Sequence, residues 1–271
     1  RPAPSDQALQ TRCIRPRRRL RSKKEVPMSN LNQALTERPD IQIALSNYFL
    51  FLAKPGYWWH GGQKVAIAAA ARAASTCALC AEKKAALSRG QIKALHPESD
   101  LLSPLIIDMV HQIITDQGRI TDTQIQALEQ SGVSRLAYAE LVGIVVCLFS
   151  IDEFCRALSQ PLPELPEPQP GLASQRTPEN LETKTGFVPM IARDGLTEAV
   201  QDLWPAGFGA NVIRALSAAP DLVRQWKQLA AVFYLPLEEM GNLAQSASRQ
   251  LNRMQMELLA GRISALNRCF Y

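Results

Sequence analysis

The apolar positions of this chain recur mainly at the three- and four-residue spacing of amphipathic helices. The pattern predicts helices over residues 101–117 and 121–159, with breaks at Gly118 and Gly132. Ala, Leu and Gln are plentiful, aromatic residues make up 6% of the chain, and long Val/Ile/Thr runs are few. This balance favours helices over sheets, so the sequence predicts an all-α fold. The positions expected on buried helical faces are Ile125, Leu128, Val133, Leu136, Leu141, Ile144, Val145 and Leu148.

An internal repeat divides the pattern into two similar units. Pro39-Asp40 aligns with Pro220-Asp221 at an offset of 181, and Cys77 aligns with Cys269 at an offset of 192. The difference of 11 fits an insertion around residues 237–248. Each unit reads as a helix begun by Pro-Asp, a loop, and a second helix that runs into the cysteine. We therefore expect two tandem helical units.

A proline-rich segment is expected to separate these units. Residues 161–171 (PLPELPEPQPG) contain five prolines, which disfavour both helix and sheet and indicate an extended linker. The predicted organisation is a leader at 1–27, a first helical domain at 28–160, a linker and irregular connection at 161–210, and a second domain at 211–271.

The charge of the chain is concentrated in the leader. Residues 1–27 hold nine Lys/Arg and two acidic residues, so residues 28–271 carry a net charge of −2 although the whole chain carries +5. The leader is Pro/Arg-rich and aperiodic, and the sequence predicts upstream translation or a disordered tail rather than a nucleic-acid-binding arm. The best apolar run, residues 141–149, is too short to span a bilayer and reads as a core helix. We expect a cytoplasmic protein that binds neither nucleic acid nor a membrane.

Cys77 and Cys80 are the only closely spaced pair among the six cysteines. A Cys-x-x-Cys pair near a helix start suits redox chemistry, since the sulfurs can join and the helix end stabilises a thiolate. Zinc and a purely structural role are the rivals. A tetrahedral zinc site needs four ligands, and the histidines His60, His96 and His111 are scattered singly, so no metal and no cofactor is expected.

The second unit gives these cysteines a context. Glu257 precedes Cys269 by twelve residues, and the order Glu, eleven residues, Cys-x-x-Cys, three residues, His resembles the motif of the AhpD-like alkylhydroperoxidase / carboxymuconolactone decarboxylase family. The resemblance covers residues 30–168 and 211–271. It implies that the second cysteine of the pair is peroxidatic, that the first resolves it, and that the Glu and His relay protons.

Neither unit carries the whole motif. In the first unit Cys77 and Cys80 match, but Val65 stands at the Glu position and Lys84 at the His position. In the second unit Glu257 and Cys269 match, and the peroxidatic position would be residue 272, directly after Tyr271. We hypothesise that residue 272 is a selenocysteine whose codon was read as a stop; the alternatives are a fragment, a frameshift or a genuine end.

The resemblance implies an antioxidant peroxidase that reduces hydrogen or organic hydroperoxides. Cys269, Glu257, Cys77 and Cys80 are its candidate catalytic residues, an external dithiol is the expected reductant, and a homo-oligomer is the expected assembly. Two alternatives remain open, namely a cofactor-free lactone decarboxylase of the same fold and a non-catalytic helical scaffold.

Overall fold

The structure is a computed structural model that describes residues 38–241, 249–267 and 269. The leader, the first ten residues of the predicted first domain, and the hypothesis about residue 272 lie outside these ranges. The described part is predominantly helical with one two-stranded sheet, which confirms the all-α prediction. The helices of the first unit are α1 Pro39–Ala53, α2 Gly61–Ala74, α3 Ala78–Ala85, α4 Pro104–Thr115, α5 Asp122–Gln130 and α6 Arg135–Ala157. They are followed by β1 Leu181–Glu182, β2 Met190–Ile191, α7 Asn211–Arg214, α8 Pro220–Phe233 and α9 Arg253–Leu266.

Short 3-10 turns lie between several of these elements, at Arg89–Gln91, Gln117–Arg119, Glu198–Val200 and Leu237–Glu239. The predicted helix breaks fall where the sequence placed them. Gly118 lies in the turn after α4, and Gly132 lies between α5 and α6 with a φ of 94°. That backbone conformation is costly for residues with a Cβ, so glycine is needed at position 132.

The core of the first unit forms around α6, the longest helix. Its apolar run at 141–149 is largely buried, with Leu141 and Ile144 fully so, which confirms the predicted core helix. Helices α2 and α4 pack against each other, and α2 also packs against α6. Two buried aromatic side chains anchor the neighbouring segments to this helix. Tyr48 Oη donates to the Ile144 carbonyl at 2.8 Å, and Trp59 Nε1 donates to the Ala137 carbonyl at 2.8 Å.

The helix bounds follow the offsets of the repeat. Helices α2 and α9 are both 14 residues long and coincide along their whole length at the offset of 192. Both begin with a reciprocal capping arrangement in which the residue before the helix bonds to a glutamine three positions later. The caps are His60 with Gln63 and Asn252 with Gln255.

Helices α1 and α8, which correspond at the offset of 181, pack directly on each other. Asn47 Nδ2 donates to Gln228 Oε1 at 3.0 Å, and these two residues are 181 positions apart. Leu222 and Leu229 of α8 belong to the same buried cluster as α1 and α6. Helix α8 of the second unit therefore completes the core of the first unit.

The connection at 161–210 begins as predicted and then differs. Its proline-rich start has no helix or strand and lies along the first unit, where Arg72 Nη1 donates to the Pro163 carbonyl at 2.7 Å. Further on, β1 and β2 pair antiparallel with Leu181 opposite Ile191. A small second core forms there, and includes Ile191, Leu203, Trp204, Ile213, Leu216, Val223 and Leu237.

Within the described ranges, no single helix has both the length and the apolar character needed to cross a membrane.

Candidate functional site

The Cys-x-x-Cys pair lies where α2 gives way to α3. The chain turns after Ala74, and the Cys77 amide donates to the Ala74 carbonyl at 3.2 Å. Cys77 is the residue immediately before α3, and Cys80 lies in its first turn. The Cys77 side chain is partly exposed, whereas Cys80 is only 1% exposed. The free amide groups at the start of α3 therefore lie beside the more accessible sulfur.

Two histidines from later in the chain meet these cysteines. His96, in the segment before α4, places Nε2 3.3 Å from both sulfurs. His111, on α4, places Nδ1 3.3 Å from Cys80 Sγ. The four donor atoms all lie within 4.8 Å of one another, and His96, His111 and Cys80 are buried. The expectation that the histidines are scattered singly is therefore wrong for His96 and His111. Helix α4 packs against α2 and α3 and brings His111 to the pair, and the segment before α4 brings His96 there. Only His60 lies apart, as the cap of α2.

A carboxylate holds the ring of His96 in place. Asp108, one helical turn before His111 on α4, lies 3.0 Å from His96 Nδ1 and also pairs with Lys83. A carboxylate only accepts hydrogen bonds, so Nδ1 carries the proton and donates to Asp108. The lone pair of Nε2 then points at the two sulfurs.

Burial sets the charge state of this cluster, which we define as Cys77, Cys80, His96, His111 and Asp108. Burial lowers the pKa of His96, and burial together with the nearby His96 ring lowers the pKa of His111 to about 4. Burial also raises the pKa of the Cys80 thiol. Both imidazoles are therefore neutral at pH 7, and their unprotonated ring nitrogens can accept a hydrogen bond or bind a cation.

Cavities reach the cluster from two sides. One of about 330 Å³ opens at the two sulfurs and is also bordered by Lys84, Thr115 and Phe149. A second, of about 400 Å³, is mostly apolar and borders His96 and His111. Small molecules can thus approach the sulfurs without unfolding of the core.

The predicted residues of the second unit lie elsewhere. Glu257 is exposed on α9, pairs with Arg253 at 2.6 Å and accepts a hydrogen bond from Tyr234. Cys269 is exposed beyond the end of α9. Among the contacts of the described residues, the Glu257 carboxylate meets neither Cys269 nor the cluster, so these two candidates are not brought together.

In the first unit, Val65 and Lys84 stand where the family motif has Glu and His. Val65 is partly buried against the core, and Lys84 borders the cavity at the sulfurs. His96, His111, Asp108 and Lys83 were not among the site residues predicted from sequence. The sequence did contain one signal of the site. Asp108 and His111 lie one helical turn apart in the largely apolar helix PLIIDMVHQIIT, and polar residues on a mostly buried helix need partners.

Comparison of the chain with known protein families, with characterised proteins and with solved structures gave no significant match. The resemblance to the AhpD-like family therefore stays a prediction.

Proposed function

We propose that the chain is a dithiol peroxidase in which Cys77 and Cys80 reduce hydrogen or organic hydroperoxides. The observation that carries this proposal is the contact of His96 Nε2 with both sulfurs at 3.3 Å while Nδ1 bonds to Asp108. A thiol next to a base that is itself oriented by a third group is the arrangement that activates a nucleophile. It supplies the proton relay that Val65 and Lys84 do not supply.

Cys77 is the attacking residue in this proposal. Its sulfur is the more exposed, it borders the cavity, and it lies at the start of α3, where a thiolate is stabilised. The order is the reverse of the one that the family resemblance implies, since there the second cysteine attacks. Buried Cys80 is better placed to resolve the intermediate.

The reaction consumes two thiols and one hydroperoxide. His96 takes the thiol proton of Cys77, and the thiolate attacks the terminal peroxide oxygen and breaks the O–O bond. Cys77 becomes a sulfenic acid, and the leaving alkoxide takes the proton from His96. The Cys80 thiol then attacks the sulfenic acid sulfur and forms the disulfide, while its proton passes to the departing hydroxide to give water. An external dithiol reduces the resulting Cys77–Cys80 disulfide with two electrons and two protons.

Peroxide consumption by the purified chain with a small dithiol as reductant tests the proposal. We expect Cys77→Ser and Cys80→Ser each to lower turnover about 100-fold or more, because each removes one of the two reacting sulfurs. Cys147→Ala is the matched control, since Cys147 is buried in the α6 core away from the cavity.

Cys269→Ser separates the two units. Turnover that survives this change assigns the activity to Cys77 and Cys80. Turnover lost in Cys269→Ser and retained in Cys77→Ser would contradict the proposal, and so would a reduced chain that consumes no hydroperoxide. In the last case the decarboxylase and scaffold alternatives gain, and a lactone substrate distinguishes them.

A further inference from the structure

We infer that Cys77, Cys80, His96 and His111 together form a tetrahedral Zn²⁺ site. Two thiolates spaced as Cys-x-x-Cys and two imidazoles are a ligand set that Zn²⁺ commonly takes in structural sites. The four donor atoms, two sulfurs with His96 Nε2 and His111 Nδ1, already lie within 4.8 Å of one another. This inference goes beyond the proposed function and does not depend on it.

The distances fit the size of the ion. Zinc binds sulfur at about 2.3 Å and imidazole nitrogen at about 2.0–2.1 Å, so neighbouring sulfur and nitrogen donors of a tetrahedron lie about 3.5 Å apart. The S···N distances from Cys77 and Cys80 to His96, and from Cys80 to His111, are each 3.3 Å. These three pairs need to move apart by only a few tenths of an ångström, and the widest separation among the four atoms, up to 4.8 Å, would have to shorten when the ion binds.

The groups around the two cysteines are more numerous than a redox pair needs, and they are those expected around a metal ion. A redox dithiol needs one base, yet two imidazoles are turned toward the sulfurs. Asp108 accepts from His96 Nδ1 and so presents Nε2 to the site, as carboxylates do for metal-bound histidines. Lys83 and Arg89 in turn pair with Asp108 and fix the orientation of its carboxylate.

Charge also favours zinc in this position. Two thiolates balance the two positive charges of the ion, and both imidazoles bind in the neutral form. The resulting neutral centre suits a location in which Cys80, His96 and His111 are buried. The ligands come from the start of α3, from the segment before α4 and from α4 itself, so the ion would join three parts of the chain.

Zinc and peroxide would compete for the same sulfurs. Bound zinc engages both thiolates and so withholds them from a hydroperoxide. Two-electron oxidation of the pair to a disulfide by hydroperoxide removes two of the four ligands and releases the ion. This consequence, unlike the site itself, rests on the proposed function.

Metal titration of the reduced, chelator-treated 271-residue chain tests the site without any activity measurement. We expect Co²⁺ to bind one ion per chain with the intense visible bands of tetrahedral cobalt and a thiolate-to-metal charge-transfer band. Zn²⁺ should then abolish both signals. Cys80→Ser and His111→Ala should remove the tetrahedral spectrum, and Asp108→Asn should weaken binding about 10- to 100-fold.

His60→Asn is the matched control, because it removes the third histidine and keeps a residue that can cap α2. It should bind metal as the unchanged chain does. Zinc should also raise the melting temperature of the unchanged chain but not of His111→Ala. A chain with no tetrahedral cobalt spectrum would overturn the inference, and so would equal binding by His111→Ala and the unchanged chain. Peroxide turnover in the metal-free chain would persist in either case, so failure here is distinct from failure of the peroxidase proposal.

Discussion

Replacement of the buried Glu140 side chain should clearly lower the stability of the fold. Glu140 lies on α6 with no exposed surface and accepts hydrogen bonds from two backbone amides of the α1–α2 loop. The Tyr57 amide donates to Oε1 at 3.1 Å and the Trp58 amide to Oε2 at 2.6 Å. Burial lowers the pKa of the Lys64 amine, and the negative charge of Glu140 partly opposes this effect. One side chain thus fixes the loop that carries three aromatic residues into the core.

The cost of Glu140→Ala follows from these contacts. Each amide left without a partner costs about 1–3 kcal/mol, so the loss of both acceptors costs about 2–6 kcal/mol. Burial raises the pKa of Glu140, because the ionised carboxylate is less favourable away from water. Removing the side chain also removes this unfavourable contribution, so the net loss of stability is smaller than the lost hydrogen bonds alone would give. We therefore expect a loss of about 3–5 kcal/mol in the free energy of unfolding for Glu140→Ala. Glu140→Gln keeps one acceptor and should lose about 2 kcal/mol.

Denaturant unfolding at pH 7 measures both variants through the shift in midpoint at constant slope. Glu153→Ala is the control, since Glu153 lies on the same helix but is exposed and forms its ion pair with Arg156 of that helix. It should change stability by less than about 1 kcal/mol. A Glu140→Ala variant that unfolds within about 1 kcal/mol of the unchanged chain would refute the role given to this carboxylate.

Two further substitutions test the packing and the charge balance of the core. Gly143→Ala should destabilise the chain by about 1–2 kcal/mol, because the added Cβ would lie 2.0 Å from Leu222 Cδ2 on α8. Alanine favours helix over glycine, so without this clash the change would stabilise α6. A raised melting temperature would contradict close packing of α6 on α8. Burial lowers the pKa of Lys64 to about 8 in the folded chain, against 10.5 in the unfolded chain. Between these two pH values the unfolded chain binds more protons than the folded chain, so the free energy of unfolding rises with pH. The stability of Lys64→Met relative to the unchanged chain should accordingly fall by about 3 kcal/mol from pH 7 to pH 10.5, and a pH-independent difference in denaturant midpoints would show that Lys64 is not desolvated.

The periodic parts of the fold were predictable from sequence, because helical periodicity and capping are local. The repeat offsets of 181 and 192 carry the positions of α1 and α2 onto those of α8 and α9. The hairpin β1–β2 was missed because two-residue strands carry no periodic signal, and tertiary contacts with Trp204 and Ile213 sustain them.

The candidate site was only half predictable. The spacing of Cys77 and Cys80 is visible in the sequence, and their pairing with a helix start follows from it. Their partners His96 and His111 are 16 and 31 positions beyond Cys80, and no local rule links them. They meet the cysteines because α4 and the segment before it lie against α2 and α3, which is a property of the whole fold. The ligand count argued against a metal from spacing along the chain, whereas ligand atoms need to be close only in space, as these four are.

The most direct test of the central claim is the mass of the reduced, metal-free chain after one equivalent of hydroperoxide. If Cys77 and Cys80 are the redox pair, the peptide that contains both loses two hydrogen atoms and the other cysteines stay unmodified. Cys77→Ser should then block formation of the disulfide. A peptide of unchanged mass, or oxidation confined to Cys269, would contradict the account.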